Sequence, residues 1–226
     1  MDIATFEIEQ KICEGRDKLL IGVDEAGRGP LAGPVSAGAV ILKSSDFVIN
    51  DNEIDLWNLV RDSKTLSEKQ REKAYDFVVE KFHIGVGIAN ADTIDRMNIL
   101  QATFLAMKKA INDVASSRHQ SLAQTEADAI ILIDGNQLIP NFSAEQYAVP
   151  QGDKKSKTIA AASIIAKVTR DHMMLEYDKK YPAYGFAKHK GYGTKVHMEA
   201  LEAHGPCPIH RTSFAPVKRA MRQTRN

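Results

Sequence analysis

The sequence predicts an α/β fold built on a sheet of mixed strand direction, and three observations carry that expectation. The apolar runs Leu19 to Val23 and Ala129 to Ile133 have the length and the Ile, Leu and Val content of buried strands. Both stop at acidic residues, Asp24-Glu25 in the first and Asp134-Gly135 in the second. Strand patterns come together early and then alternate with helical ones, the order of an α/β sheet.

The elements follow in chain order. After the first strand, Gly27-Arg28-Gly29-Pro30 and Leu31-Ala32-Gly33-Pro34 place two Gly/Pro pairs in a short stretch and force a turn. Val35 to Leu42 then reads as a second strand, antiparallel to the first. Asp46 to Asp62 is polar and reads as irregular. A helix starts after Ser67, with Gln70 completing a capping box, and turns Ala74, Phe77 and Val78 inward. His83 to Ala91 reads as a third strand, with Asp92 capping a short turn. Leu100, Phe104, Met107, Ile111 and Val114 recur at steps of three and four and predict one helix face. Ser116 to Thr125 reads as a polar loop. The Asp134 strand follows, and Tyr147 to Val149 reads as a short last strand. Lys154 to Lys180 predicts one long helix, inward at Ile159, Ala162, Ala166, Thr169, Met173 and Tyr177 and stopped by Pro182. Tyr184 to Thr194 is rich in Gly, Lys and Tyr, and a last helix runs from about Lys195 to Ala203.

Composition bounds the function. A chain of 226 residues, 43% apolar and 26% charged, suits one globular domain, with or without a C-terminal extension. The net charge of +1 conceals an asymmetry: residues 1–150 carry 15 Lys and Arg against 23 Asp and Glu, and residues 151–226 carry 15 against 6. A basic last third beside an acidic first part suits a polyanion guided toward a metal centre, although charge alone is more often the mark of a solvated basic surface. Cys13 and Cys207 form no CxxC pair and imply no disulfide framework, so a reducing cytoplasm is expected. Met1 to Lys18 lacks the apolar core of a signal peptide, and no apolar stretch is long enough to span a membrane.

Two parallel neighbouring strands would bring their terminal acids to one edge of the sheet, where open α/β sheets place their sites. Clustered carboxylates repel unless cations neutralise them. Asp24, Glu25, Asp134 and Asp153 are therefore the candidate ligands, and an all-oxygen set selects Mg2+ or Mn2+. Each acid also has a plainer reading: an Asp at a strand end commonly forms a turn, and Asp153, just before a helix, is equally readable as its N-cap. The functional reading rests on the set.

Six stretches resemble the type 2 ribonucleases H, in the order and spacing of the bacterial ribonuclease HII family. They are LLIGVDEAGRGPLAGP, RDSKTLS, ILIDGN, QGDKKSKTIAAASIIAKVTRD, YPAYGFAKHKGYGT and HRTSFAPVKRA. The related ribonuclease HIII family fits less well: it usually carries an extra N-terminal domain and a Glu where this chain has Asp153. The resemblance implies an RNase H-like fold, a central five-stranded mixed sheet flanked by helices, as one domain. Its core would span about residues 19–185, with a basic helical extension over about 186–226. It implies cleavage of RNA in RNA–DNA hybrids and incision on the 5′ side of single ribonucleotides in duplex DNA, leaving 3′-hydroxyl and 5′-phosphate ends. By motif position Asp24, Glu25, Asp134 and Asp153 match the four catalytic carboxylates, serving two divalent ions. A monomer is expected, with replication or repair proteins as possible partners.

The same resemblance assigns the substrate contacts. Gly27, Arg28 and Gly29 match a motif that reads the ribose 2′-hydroxyl, and Arg28 can hold a phosphate; alone, such a GxG is a tight turn. Tyr192 matches a tyrosine packed on the sugar at the RNA-to-DNA junction, with Tyr184 as second candidate. Lys64, Lys167 and Arg170 are candidate phosphate contacts, the last two sharing a helix face. Lys154, Lys155, Lys157, Lys188 and Lys190 would extend the track, giving affinity without base specificity.

Other signals are set aside. His204, Cys207 and His210 offer only three ligands where a closed zinc site takes four. GRGPLAG lacks the GK[ST] of a phosphate loop. Ser163 and Ser156 lack a recognisable His/Asp partner. Two other readings stay open at this stage: a non-catalytic nucleic-acid-binding module and a metal-dependent phosphohydrolase of small esters.

Overall fold

The computed structural model of the chain describes residues 4–43, 49 and 51–223. Five strands form one sheet: β1 (Leu19–Ala26), β2 (Val35–Leu42), β3 (Phe82–Ala89), β4 (Ala129–Asp134) and β5 (Glu145–Val149), in the order β3-β2-β1-β4-β5. The Gly/Pro turn sends β2 back antiparallel to β1, whereas β4 lies parallel to β1 and β5 parallel to β4. The expected mixed sheet is therefore present, and Phe82 rather than His83 opens the third strand.

Two helices cover its faces. The helix α5 (Ile99–Ser117) packs its predicted stripe of Phe104, Met107, Ile111 and Val114 on one face, against Ile21, Val23 and Ile131. The helix α7 (Lys157–Lys180) covers the other face together with α3 (Glu68–Lys81), whose capping box on Ser67 and Gln70 forms as expected. Every residue from Lys157 to Ala166 is buried, so the start of α7 is enclosed all round instead of showing one apolar stripe.

That enclosure depends on small residues in the strands. A Cβ at Gly22 would stand 2.5 Å from the Thr158 main chain, and one at Gly38 would stand 2.4 Å from the Ala162 carbonyl oxygen. The backbone of α7 thus rests directly on β1 and β2.

Several sequence expectations need correction. Asn90, not Asp92, caps α4 (Ala91–Met97), through its bond from the Thr93 amide. The supposed loop Ser116 to Thr125 contains the start of α6 (Leu122–Asp128), capped by Ser121 with Gln124. A polar composition concealed that box. Asp46 to Asp62, as far as it is described, holds the short helix α2 (Ile54–Trp57), and its Trp57 is buried edge-on against Phe6, Phe77 and Phe82. The helix α1 (Glu7–Cys13) precedes the first strand. The C-terminal part is helical: α8 (Phe186–His189), α9 (Lys195–His204) and α10 (Ala215–Gln223), the last not foreseen. Among the described residues, no helix is long and apolar enough to cross a membrane.

Candidate active site

The register of the parallel strands builds the acidic edge. Val23 pairs with Ile133, so the next residues, Asp24 and Asp134, leave neighbouring strands side by side. Asp134 in turn pairs with Val149. A tight turn through Gln151, at φ +57°, then returns the Gly152 amide to Asp134 Oδ1 at 2.7 Å. Asp153 follows in the 3-10 turn Gly152–Lys154 and is buried. It does not cap the long helix: Ser156 does, accepting from the Ile159 amide.

Asp24 is 4% exposed. Its Oδ1 accepts from the Glu25 amide at 2.6 Å, and the Ser163 hydroxyl also bonds its carboxylate. Ser163 lies 2.9 Å from the Ser63 hydroxyl, tying α7 to the turn that presents Lys64. Ser163 braces Asp24, and Ser63 braces Ser163.

The electrostatics identify the cluster. Burial pushes the Asp24 carboxyl well up, and the charges of Glu25 and Asp134 push it further. Burial raises Glu25, Arg28 opposes, and Asp134 adds to the rise. Asp153 is pushed up to about 6 by burial and then by Asp134 and Asp62. Burial lowers the Lys64 ammonium, but Asp24, Asp153, Asp62 and Asp134 together outweigh it and raise its pKa. Asp134 thus acts on Asp24, Glu25 and Asp153, and Asp24, Asp134 and Asp153 act on Lys64. Among the described residues, no three His, Cys, Asp or Glu side chains already converge as a ligand set. Asp24 and Asp134 instead lean on backbone amides, with other carboxylate oxygens left for a cation. An oxygen-only set, crowded enough to resist ionising, fits a hard divalent ion.

A cavity of about 490 Å3 opens beside this edge, lined by Glu25, Gly27, Arg28, Gly29, Lys64, Lys167 and Tyr192 among others. A larger one of about 820 Å3 lies at the opposite end of the strands, near Leu19 and Leu42, away from the acids. The smaller cavity is the one with the chemistry. Gly27 takes φ +97°, and a side chain there would strike Arg170 and the Pro34 carbonyl. Gly29 faces the Tyr192 ring, since a Cβ would sit 3.6 Å from it. Arg28 is exposed and pairs with Glu25 at 3.2 Å. Tyr192 is 46% exposed, unusual for a large ring.

The main chain of Tyr192 is held from below. Its amide donates to the His189 carbonyl, and its carbonyl accepts from His197 Nδ1 at 2.9 Å. That bond assigns the proton to Nδ1, so His197 Nε2 accepts from His210 Nε2 at 3.0 Å. His210 Nδ1 then accepts from the Cys207 amide. Both ring nitrogens of His210 are committed, which removes the zinc reading.

The basic track is shorter than expected. Arg170 is 1% exposed and donates to the carbonyls of Pro34, Ala32 and Lys190, so it is not a free phosphate contact. Lys157 is buried too, bonded to the Trp57 and Val60 carbonyls, with its pKa lowered to about 8 by burial. Lys155 and Lys190 bend back to the Pro150 and Ala187 carbonyls. Lys167 pairs with Asp171 at 2.6 Å. Tyr184 is buried, its hydroxyl on the Gly205 carbonyl, and cannot stack on a substrate. Lys64, Lys154 and Lys188 stay exposed.

Sequence reasoning missed Arg211. Fully buried, it donates to the carbonyls of Gly27, Arg28, Gly33 and Pro34, clamping both ends of the glycine loop. Burial and then Arg170 lower its pKa to about 9. The HRTSF stretch marked the position, but a buried arginine bonded only to carbonyls leaves no trace in composition.

A mixed five-stranded sheet, acids ending its two central parallel strands and a cationic groove beside them define a ribonuclease H-like α/β protein. A model of the family described as Ribonuclease HII matches residues 21–217. Ribonuclease HII of Endomicrobium trichonymphae is 50% identical over 205 residues, covering 90% of this chain and 89% of that one. The structure of ribonuclease H2 from Pyrococcus horikoshii OT3 matches with a TM-score of 0.67 and 27% identity, over 92% of this chain and 100% of that one. Bst-RNase HIII in complex with Mn2+ shares the fold at a TM-score of 0.65 and 17% identity, over 93% and 71%. The chain belongs to the ribonuclease HII family. It is an enzyme, a nuclease that hydrolyses RNA, and the non-catalytic module falls away.

Proposed function

We propose that this enzyme hydrolyses the RNA strand of RNA–DNA hybrids and incises duplex DNA on the 5′ side of a single embedded ribonucleotide. The observation that carries the reading is the acidic edge, where Asp24, Glu25, Asp134 and Asp153 lie within one another's field. Carboxylates gathered at that cost invite divalent cations, Mg2+ or Mn2+, and all four would hold them. Two bound cations would supply an activated water and neutralise the leaving oxygen.

The chain's own residues do the rest. Asp24, beside Asp134 and Glu25, would hold the cations together with them. The amide held by Asp134 Oδ1 and the hydroxyl of Ser163 on Asp24 fix the rotamers of two ligands before a cation arrives. Arg28 and Lys64 flank the acids and meet the phosphates on either side of the scissile bond. Lys167 joins them when its partner Asp171 yields. The two glycines of the Gly27–Gly29 loop, which line the groove without side chains, bring main-chain groups close enough to read a 2′-hydroxyl. The exposed Tyr192 ring, opposite Gly29, leaves no room for a second 2′-hydroxyl and so favours a ribose followed by a deoxyribose. A monomer is sufficient, because every group invoked belongs to one chain.

A DNA duplex carrying one ribonucleotide, beside an all-DNA control, tests the reading. Cleavage 5′ of the ribose, only with Mg2+ or Mn2+ present, is expected. Equal cutting of both duplexes, or cutting in excess chelator, refutes it.

A further inference from the structure

The N-terminal segment lies before the residues matched to the family model, which begin at residue 21. It nevertheless reaches the acidic edge from behind. Thr5 forms a parallel bridge with Ser156: its amide donates to the Lys155 carbonyl at 3.2 Å, and its carbonyl accepts from the Lys157 amide at 2.9 Å. Phe6 packs edge-on against Trp57 at 5.3 Å. One turn into α1, Glu9 is 0% exposed. Its Oε1 accepts from Ser156 Oγ at 2.7 Å, the Thr158 amide at 2.9 Å and Thr158 Oγ1 at 3.0 Å.

A buried carboxylate is costly unless hydrogen bonds offset its lost hydration. Here three donors on Oε1, at the first turn of a 24-residue helix whose dipole favours an anion, offset only part of that cost: Oε2 has no partner among the described residues, and burial still raises the Glu9 pKa. The clasped residues, 155–158, start two positions after Asp153. Between them the Lys155 and Ser156 amides both donate to the Gly152 carbonyl, and the Gly152 amide holds Asp134. An unbroken chain of short hydrogen bonds therefore links Glu9 to the turn that carries Asp153 and to Asp134.

We propose that Glu9, with the Thr5 bridge, is a positioning residue of the metal site: it fixes the first turn of α7 and so the aim of the Asp153 carboxylate. This rests on reading Asp153 as a ligand. A purely structural role would stabilise the fold without affecting metal affinity.

Mn2+ titration of the full-length, metal-free protein by calorimetry, well below its melting temperature, separates the two. Glu9→Ala should bind Mn2+ about 10-fold more weakly, the low end for groups that support a ligand. Glu9→Gln keeps an accepting oxygen and should stay within about 3-fold. Val114→Ala, buried in α5 on the far face of the sheet, serves as a destabilised control and should bind as the parent does. Parental affinity in Glu9→Ala overturns the proposal, and so does a loss of equal size in Val114→Ala or Glu9→Gln. If Glu9→Ala does not fold, Thr5→Pro carries the same test, since it removes the amide donor to Lys155 together with the hydroxyl that accepts from the Glu7 amide; about 3-fold weaker binding is expected and parental binding overturns the idea. Asp153→Asn distinguishes the underlying reading: parental Mn2+ affinity there removes Asp153 as a ligand, whereas weak binding there with normal binding in Glu9→Ala removes only the strap.

Discussion

Two clusters of like charge meet near the end of β1, one behind the Gly27–Gly29 loop and one at the sheet edge, and they are built on opposite principles. The guanidiniums of Arg170 and Arg211 make seven hydrogen bonds to main-chain carbonyls, so the cation pair is saturated from within. The carboxylates of the sheet edge hold few donors, and burial, then neighbouring acids, push Asp24, Glu25 and Asp153 up. The first cluster is finished on folding and serves as a platform. The second is left short of donors, so burial and neighbouring charge prevail there. Position in the fold does not tell the two apart; the tally of satisfied donors and acceptors does.

Removing one acid should therefore cost chemistry and spare the fold. Asp24→Asn is expected to lower turnover at least about 10³-fold, beyond the 10- to 100-fold typical of groups that merely support a ligand. Its melting temperature in metal-free buffer should hold or rise, because a repelling charge has gone. A melting temperature that falls with the activity would make Asp24 structural and erase the contrast.

Arg211→Met reverses that pattern. The Gly27, Arg28 and Gly33 carbonyls lose this donor and Pro34 keeps only Arg170, which costs about 3 kcal/mol or more. For a chain of this size, the melting temperature should drop by roughly 6–12 °C. Residual activity at low temperature should persist if the loop still forms. An unchanged melting temperature would show that the platform does not depend on its arginines.

The histidine relay beneath Tyr192 sharpens the comparison through pH. Burial, then His197, lowers His210 to about 4, below the ~6.5 of an unfolded histidine. The unfolded chain takes up the proton first, so this contribution is intact above pH 6.5 and is lost as pH falls toward 4. On the order of 2 kcal/mol is at stake. Denaturant melts at pH 7.5 and 5 should show the parent losing more stability than His210→Gln. Equal losses would mean that His210 is protonated in the fold.

The smallest effect concerns choice of substrate. Tyr192→Ala should reduce incision at a single ribonucleotide by about tenfold relative to a long hybrid, the scale on which one packing contact discriminates. Its melting temperature should barely move, because the ring is half exposed. If both substrates suffer alike, the ring binds without discriminating.

Much of this arrangement was legible in the residues. Apolar runs of strand length ending in acids located the edge, and the 3–4 spacing of Phe104 to Val114 located α5, because burial on one face leaves a period. Asp24, Glu25 and Asp134 could be read together because their strands end side by side, whereas Asp153 sits in the turn after β5. What stayed hidden was whatever burial enforces without a period. Lys157, Arg170 and Arg211 look in sequence like any basic residues, and only the carbonyls around them show that they face inward. Tyr184 and Tyr192 are eight residues apart with the same neighbours in kind, yet one hydroxyl ends on the Gly205 carbonyl and the other ring stands in the groove. The box of Ser121 and Gln124 was overlooked because its helix is short and polar.

The contact of α7 with the sheet at Gly22 and Gly38 has a consequence for anyone recombining this enzyme with its relatives. Main chain lies on main chain there, so a single added methyl would prise the helix outward and carry Ser163, Lys167 and Arg170 with it. Crossover points that part the first hairpin from the long helix would inherit mismatched halves of one mould. Chimeras should exchange residues 19–42 and 157–180 together, as a single cassette.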